Sequence, residues 1–451
     1  MNATRRTRRE FLRRVGFGAA ALGGVACGFA ASARGAKPQA SRGDVPAGAA
    51  PDRPNILLIM ADDIGREVLG CYGGQSYKTP NLDKLAAEGM RFTHCYSQPV
   101  CSPSRVKIMT GRYGFRTTEK WGHIPPGERT FGHVLGAAGY ATAAAGKWQM
   151  CLLKRNPGHL KKTGFDESCV FGWHEGARYH DPFVYWNGKP RRLEGKYGPD
   201  VYCDFLIDFM TRNRNTPFLA YFPMALAHAI SDDFTPPPAK GPGGKYQSYK
   251  ELAETMDVIV GRLVKALDDL GLRKKTLILY TTDNGSPGSF ITDVRGRKYI
   301  KTPIRSMWNG REVRGGKGSM TDAGTRVPLI ANWPGTTPAG KVCDDLIDFS
   351  DFLPTLAELA SAPLPEGVTV DGRTFAPQLG GKKGAPRPWC FTGYRGKAWA
   401  RTKRWKLYRS GKLYDMDADP GEKRPLKPGQ GPDEARTARK TLQAVLVKLK
   451  K

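Results

Sequence analysis

The sequence predicts an α/β protein with a mixed, mostly parallel sheet flanked by helices and a small antiparallel sheet at the C-terminal end. Three observations carry this reading. Apolar runs of strand length at 55–60, 217–222 and 276–281 are continuous rather than alternating, the pattern of strands buried on both faces. Helical spacing occurs at about 80–89, 129–138 and 246–270, and strands alternating with helices build a sheet covered on both sides. After about residue 375 the texture changes to short aromatic segments broken by turn residues, as in a small antiparallel sheet.

In chain order, Thr7-Arg8-Arg9-Glu10-Phe11-Leu12-Arg13 precedes an apolar run at 15–31 and the small-residue triplet Ala31-Ser32-Ala33. This reads as a twin-arginine-type export signal over 1–33, giving a periplasmic or extracellular protein. Glycines at 16, 18, 23, 24 and 28 oppose a stable membrane helix there. Cys27 in Val-Ala-Cys imitates a lipoprotein site, but Gly24 stands where such sites carry leucine. No later stretch approaches the length of a span, so none is expected in the mature chain. Residues 34–50 read as a linker rich in Ala, Gly, Pro and Arg. We expect a main domain over 51–375 and a C-terminal subdomain over 376–451. In the latter, 389–394, 398–402 and 405–409 are strand candidates, and Arg409-Ser410-Gly411-Lys412 is a hairpin turn.

The formal charge is +29, from 71 basic and 42 acidic residues. Removal of 1–33 leaves the balance strongly basic, because it takes six arginines and one glutamate. Such a field suits anionic partners, whether nucleic acid, anionic lipid, or a sulfated or phosphorylated substrate; its plainer use is solubility. The nine cysteines form no CxxC pair and no regular ladder, so neither a thiolate metal cluster nor a dense disulfide scaffold is expected.

Two of the predicted strands end in acidic or amide pairs, Asp62-Asp63 and Asp283-Asn284. Either pair alone reads as a turn. Together, at the carboxyl ends of strands in one open sheet, they face a common crevice and offer oxygen ligands to a hard cation such as Ca2+, with Mg2+ as the alternative. A further stretch, Cys101-Ser102-Pro103-Ser104-Arg105, continues to Thr110-Gly111-Arg112. Pro103 suits the first turn of a helix, which places Cys101 at a helix start.

That stretch resembles the signature of the type I sulfatases, members of the alkaline-phosphatase-like superfamily, in which the cysteine is oxidised to formylglycine. The resemblance extends along most of the chain. Asp62 and Asp63 fall on the family's first metal pair and Asp283 and Asn284 on its second, with the residue derived from Cys101 also facing the metal. Lys147 in Gly146-Lys147-Trp148 matches the catalytic lysine, Lys317 in Arg314-Gly315-Gly316-Lys317-Gly318 the second active-site lysine, and His228 the substrate-contacting histidine. Arg326-Val327-Pro328, Asp351-Phe352-Leu353-Pro354-Thr355, Leu413-Tyr414-Asp415 and Asp419-Pro420-Gly421-Glu422 occur in family order. The resemblance implies an alkaline-phosphatase-like fold and hydrolysis of sulfate esters, with sulfated polysaccharide as a substrate class. It also implies a formylglycine-generating enzyme as a partner, and no nucleic acid. In the implied chemistry one hydroxyl of the aldehyde hydrate attacks sulfur and the other loses its proton to expel sulfate. Arg105 and Lys147 stabilise the nucleophile, and Lys317 and His228 serve the leaving oxygen.

The chain departs from the pattern at Gln149, where the family usually has the histidine of Gly-Lys-Trp-His. An amide there can orient a substrate or hydroxyl but cannot take its proton. Asp322-Ala323-Gly324 stands where Glu-Gly-Gly is common. The cationic run Arg295, Arg297, Lys298, Lys301, Arg305, Arg311 and Arg314 lies between Asn284 and Lys317, either as a solvated loop or in contact with an anionic substrate. The alternatives are a phosphonate or phosphodiester hydrolase of the same superfamily and an inactive homologue that binds polyanions.

Overall fold

The computed structural model describes residues 53–449 apart from 174, 230–247 and 296–297. The export signal at 1–33 and the linker at 34–50 lie outside the described residues.

The chain opens with strand β1 (Asn55–Ala61) and continues through β2 (Met90–Tyr96), β3 (Ala141–Lys147), β4 (Glu167–Phe171), β5 (Phe183–Trp186), β6 (Lys189–Arg192), β7 (Phe218–Pro223) and β8 (Thr276–Thr282). Two hairpins follow, β9 (Ser289–Arg295) with β10 (Lys298–Pro303) and β11 (Arg305–Trp308) with β12 (Arg311–Arg314). Thus the cationic run, where it is described, forms hairpin strands rather than an open loop. The chain then returns as β13 (Arg326–Asn332) and β14 (Lys341–Asp348). Ten of these strands form one sheet in the order β14-β2-β13-β8-β1-β7-β3-β4-β5-β6. The central neighbours β8, β1, β7, β3 and β4 all run parallel, while β13 and β5 run against them.

Strand β1 shows why the apolar runs are continuous. Leu57, Ile59 and Ala61 enter one core layer and Ile56, Leu58 and Met60 the other, all fully buried. The first layer is closed by the helices Gly198–Arg212 and Tyr249–Asp269, the second by Cys101–Thr110, Phe131–Ala137 and Phe352–Leu359. A strand so enclosed has no solvent face on which a polar residue would be tolerated. The helix starts follow local chemistry: the Thr130 hydroxyl accepts from the Gly132 N–H, and Ser248 with Glu251 makes a reciprocal capping box.

The C-terminal sheet is β15 (Cys390–Tyr394), β16 (Lys397–Arg401), β17 (Trp405–Tyr408) and β18 (Leu413–Asp415), antiparallel throughout. The chain turns between β17 and β18 at 409–412, with Gly411 at φ +86°. Helix Asp433–Lys448 packs Ala435, Ala438, Leu442, Val445 and Leu446 against this sheet. The sheet is tied to the main body by buried charge: Lys107 Nζ donates to Asp348 and to the Phe391 carbonyl, both at 3.0 Å.

Candidate active site

The register of the central strands assembles the site. Ala61 at the end of β1 lies opposite Thr282 at the end of parallel β8, so the next residues, Asp62 and Asp283, emerge side by side. The Asp283 N–H donates to the Ala61 carbonyl, and the Asp63 N–H donates to Asp283 Oδ1 at 3.2 Å. Asp63 holds a left-handed backbone, φ +61°, a conformation aspartate tolerates better than most residues. It is pinned from below: Tyr249 donates its hydroxyl to the Asp63 carbonyl and also contacts Ser286 Oγ, which accepts the Gly65 N–H.

Helix Cys101–Thr110 begins with Cys101 and is buried along its whole length, Cys101 itself being only 2 % exposed. The thiol is therefore at a helix start and enclosed as well. Ser104 makes the first backbone bond of the helix, to the Val100 carbonyl, so the N–H groups of Cys101 and Ser102 lie outside the helical ladder, where an anion can be met. One ligand atom each from Asp62, Cys101 and Asp283 lies within 4.8 Å of the others. Arg105, one turn on from Cys101, donates Nη2 to Asp283 Oδ2 at 2.7 Å and sits 3.9 Å from Asp62 Oδ2. Lys147, the last residue of β3, donates to Asp62 Oδ2 at 2.5 Å. Lys317 donates to Asp63 at 2.6 Å, and Asn284 Nδ2 to Asp63 Oδ1 at 2.8 Å.

Three carboxylates thus face three cations in a buried crevice. Burial pushes the Asp62 carboxyl up, but Lys147, His228 and Arg105 outweigh it and hold the group well below the usual carboxylate range. Asp283 goes the other way: burial, then the crowding Asp62, raise it to about 7. Two buried oxygens, Asp62 Oδ1 and Asn284 Oδ1, accept no hydrogen bond among the described residues. Orphaned acceptors in a buried site are costly. Their placement beside Asp283 and Asp63 fits a hard cation, which takes oxygen ligands of this kind.

His228 places Nε2 3.9 Å from Asp63 Oδ2, while Nδ1 lies 2.8 Å from the Ala229 carbonyl and 3.3 Å from Arg178 Nη1. Burial, then Lys317 and Lys147, hold its imidazole down to about 4. Gln149 is buried, and its carbonyl accepts from Ser102 Oγ at 3.2 Å and Trp173 Nε1 at 3.0 Å, which places this backbone beside the residue after Cys101. All ten residues singled out in the sequence fall at this end of the sheet. Arg178, Tyr249 and Ser286 were not singled out. Arg178 is fully buried, over the Phe171 ring and against His228, and nothing in Gly-Ala-Arg-Tyr distinguishes it. The eight cysteines among the described residues are free thiols.

Residues 54–362 match the sulfatase family model. The chain is 32 % identical over 427 residues to N-acetylgalactosamine-6-sulfatase of Canis lupus familiaris, covering 83 % of this chain and 77 % of that protein. It is 34 % identical over 373 residues to human arylsulfatase A, covering 74 % and 69 %. Among solved structures, Ps i-CgsB in complex with k-i-k-neocarrahexaose superposes with a TM-score of 0.67 at 25 % identity, covering 84 % of this chain and 89 % of that one.

Proposed function

Because the chain belongs to the sulfatase family, whose members hydrolyse sulfate esters, we propose that its substrate is a sulfated carbohydrate and that Cys101, oxidised to formylglycine, is its nucleophile. The observation that carries this reading is the enclosure of Cys101 at a helix start within 4.8 Å of ligand atoms on Asp62 and Asp283. The carbohydrate follows from two similarities, to an N-acetylgalactosamine-6-sulfatase and to a structure holding a neocarrahexaose.

Asp62, Asp63, Asp283 and Asn284 are the residues that would hold a divalent cation, Ca2+ with Mg2+ as the alternative. When bound, such an ion polarises a sulfate oxygen and favours an ionised hydroxyl. Formylglycine as its hydrate supplies that hydroxyl. The chain's own side chains do the rest. Arg105 lies against Asp283 and Asp62 and Lys147 against Asp62, the carboxylates whose oxygens lie within 4.8 Å of the Cys101 sulfur. Asp63 and Cys101 hold Lys317 protonated against the opposing effect of burial, so it offers a donor and a charge to the leaving oxygen. His228 is neutral near pH 7 and can accept or pass on a proton. Gln149 orients a hydroxyl without taking its proton.

We read the maturation and location from sequence. The twin-arginine-type signal at 1–33 supports export, conversion of Cys101 calls for a formylglycine-generating enzyme, and 51–375 and 376–451 serve as catalytic domain and C-terminal subdomain. No helix among the described residues is long and apolar enough to cross a membrane.

The test is a peptide mass map across Cys101 combined with assays on aryl sulfate and aryl phosphate esters. We expect the aldehyde at Cys101 and faster turnover of the sulfate ester. An unmodified thiol in protein that still turns over, or a preference for the phosphate ester, overturns the reading.

A further inference from the structure

Away from this site a cavity of about 910 Å³ opens between the hairpin β11–β12, residues 66–67 beyond β1, the segment at 322–326 and the turn at 418–424 of the C-terminal part. Its size falls among ligand pockets, which run to about 1,000 Å³. Its wall carries Arg66, Arg311, Arg314, Arg326, Lys423 and Arg424.

The same wall carries four carboxylates, Glu67, Glu312, Asp322 and Asp419. Glu67 lies beside Arg66, and Asp322 also pairs with Arg326 of this wall at 3.6 Å. Asp322 takes ion pairs from Arg401 at 2.8 Å and Lys406 at 3.0 Å, Glu312 pairs with Arg305 at 2.7 Å, and Asp419 accepts the Arg424 N–H. Arg66, Arg311, Arg314 and Lys423 have no acidic ion-pair partner among the described residues. Arg66 is the most telling, because its guanidinium lies 5.1 Å above the Trp308 ring and is part-buried without a hydrogen bond among the described residues. Burial, then the neighbouring Arg326, push it down to about 10. A concave wall with six cationic side chains against four carboxylates, most of the six without an acidic ion-pair partner among the described residues, suits an anion. The planar fork of arginine suits the paired oxygens of a sulfate. Arg66 covers one face of the Trp308 ring, which reduces what this ring offers to the base stacking that nucleic acid uses.

We propose that this cavity is a second anion-binding site, separate from the metal-lined crevice, that holds sulfate groups of a sulfated saccharide. The separation is set by the chain itself: Lys317 turns into the crevice toward Asp63, while Arg314, three residues earlier, lines the cavity. The choice of saccharide rests on the carbohydrate reading above; the anion site itself does not.

The test measures binding of a heparin tetrasaccharide to the full chain carrying Cys101→Ala, with and without Arg66→Gln or Lys423→Gln. Loss of one charged hydrogen bond should weaken binding about tenfold per variant. Turnover of a small aryl sulfate by the same variants with Cys101 intact should not change. Lys423 is exposed, so its variant carries the test even where Arg66→Gln impairs folding. Unchanged affinity in the folded variants, or equal loss of aryl-sulfate turnover, overturns the separate site. Inorganic sulfate binding as tightly as the tetrasaccharide overturns the saccharide assignment. If the parent chain binds the tetrasaccharide through these residues yet cleaves no aryl sulfate, the catalytic reading fails and this one stands.

Discussion

Lys147 Nζ and Asp62 Oδ2 lie 2.5 Å apart with both side chains fully shielded from solvent. The pair joins the end of β3 to the end of β1 across the intervening β7. Removing Lys147 leaves the buried Asp62 only the more distant Arg105, at 3.9 Å, as an ion-pair partner among the described residues, so Lys147→Met should cost the metal-free protein about 3 kcal/mol, the low end for a broken buried pair. With a divalent cation bound the loss should shrink, because the ion compensates Asp62. Turnover of the metal-loaded protein should fall about a hundredfold or more. Urea unfolding with chelator and with Ca2+ checks the first part; equal losses in both would show that Asp62 does not face a metal.

The parts of this site that were legible in the sequence are those that strand order dictates. Asp62-Asp63 and Asp283-Asn284 follow continuous apolar runs, and parallel pairing of two such strands puts their ends together whatever the loops do. Cys101 could be placed at a helix start through Pro103, but the burial of that helix could not, since it depends on Phe352–Leu359 and the 131–137 helix packing around Val106, Ile108 and Met109. Arg178 was invisible because its contact with His228 joins positions fifty residues apart without any periodic signal. Helix Asp433–Lys448 escaped notice because its apolar stripe opens with only the two alanines Ala435 and Ala438 before Leu442, Val445 and Leu446, a thin signal among many charged residues. The strands of the 298–314 region were hidden by exposure: β10 and most of β12 are solvent-facing, so they lack the apolar run that marks a buried strand.

Metal removal gives a second prediction. Asp62 Oδ1 and Asn284 Oδ1 are buried acceptors without a donor among the described residues, and a bound cation relieves both. At free Ca2+ a hundred times the dissociation constant, the fold should gain about 2.7 kcal/mol. Chelation should lower the melting temperature and abolish turnover, and Asn284→Ala should shift both metal titrations to higher concentration. A melting temperature indifferent to chelator would remove the cation from this site.

The C-terminal sheet supplies a prediction on pH. Arg401 and Lys406, from β16 and β17, both reach the buried Asp322 carboxylate, and Lys406 also reaches Glu422 at 2.9 Å. Burial pushes Asp322 up, but Arg401, Lys406 and Arg326 hold it well below its ordinary 3.8. A depressed carboxyl contributes stability above its unfolded value and loses it as pH falls through the folded one. Stability should therefore drop from about pH 4 downward, and Asp322→Asn should flatten that part of the profile. Asp322→Ala, which leaves the buried Arg401 without a carboxylate while Lys406 keeps Glu422, should cost about 3 kcal/mol at pH 7. Equal acid sensitivity of the parent and the Asn variant would assign the loss to other groups.

Gln149 bears on the last step of turnover. Its carbonyl is held by Ser102 and Trp173, so the backbone at this position is fixed next to the nucleophile's own helix turn, where the family pattern carries a histidine. An amide can orient a hydroxyl there but cannot remove its proton near neutral pH. Attack on sulfur does not need that proton transfer, whereas release of sulfate does. Gln149→His should therefore raise the steady-state rate more than the rate of the first-turnover burst, read by rapid quench on an aryl sulfate. The competing base is His228, held neutral at pH 7 by burial and by Lys317 and Lys147 and 3.9 Å from Asp63. If His228 already serves, the variant changes both rates equally or neither, and His228→Ala then slows the steady state more than the burst.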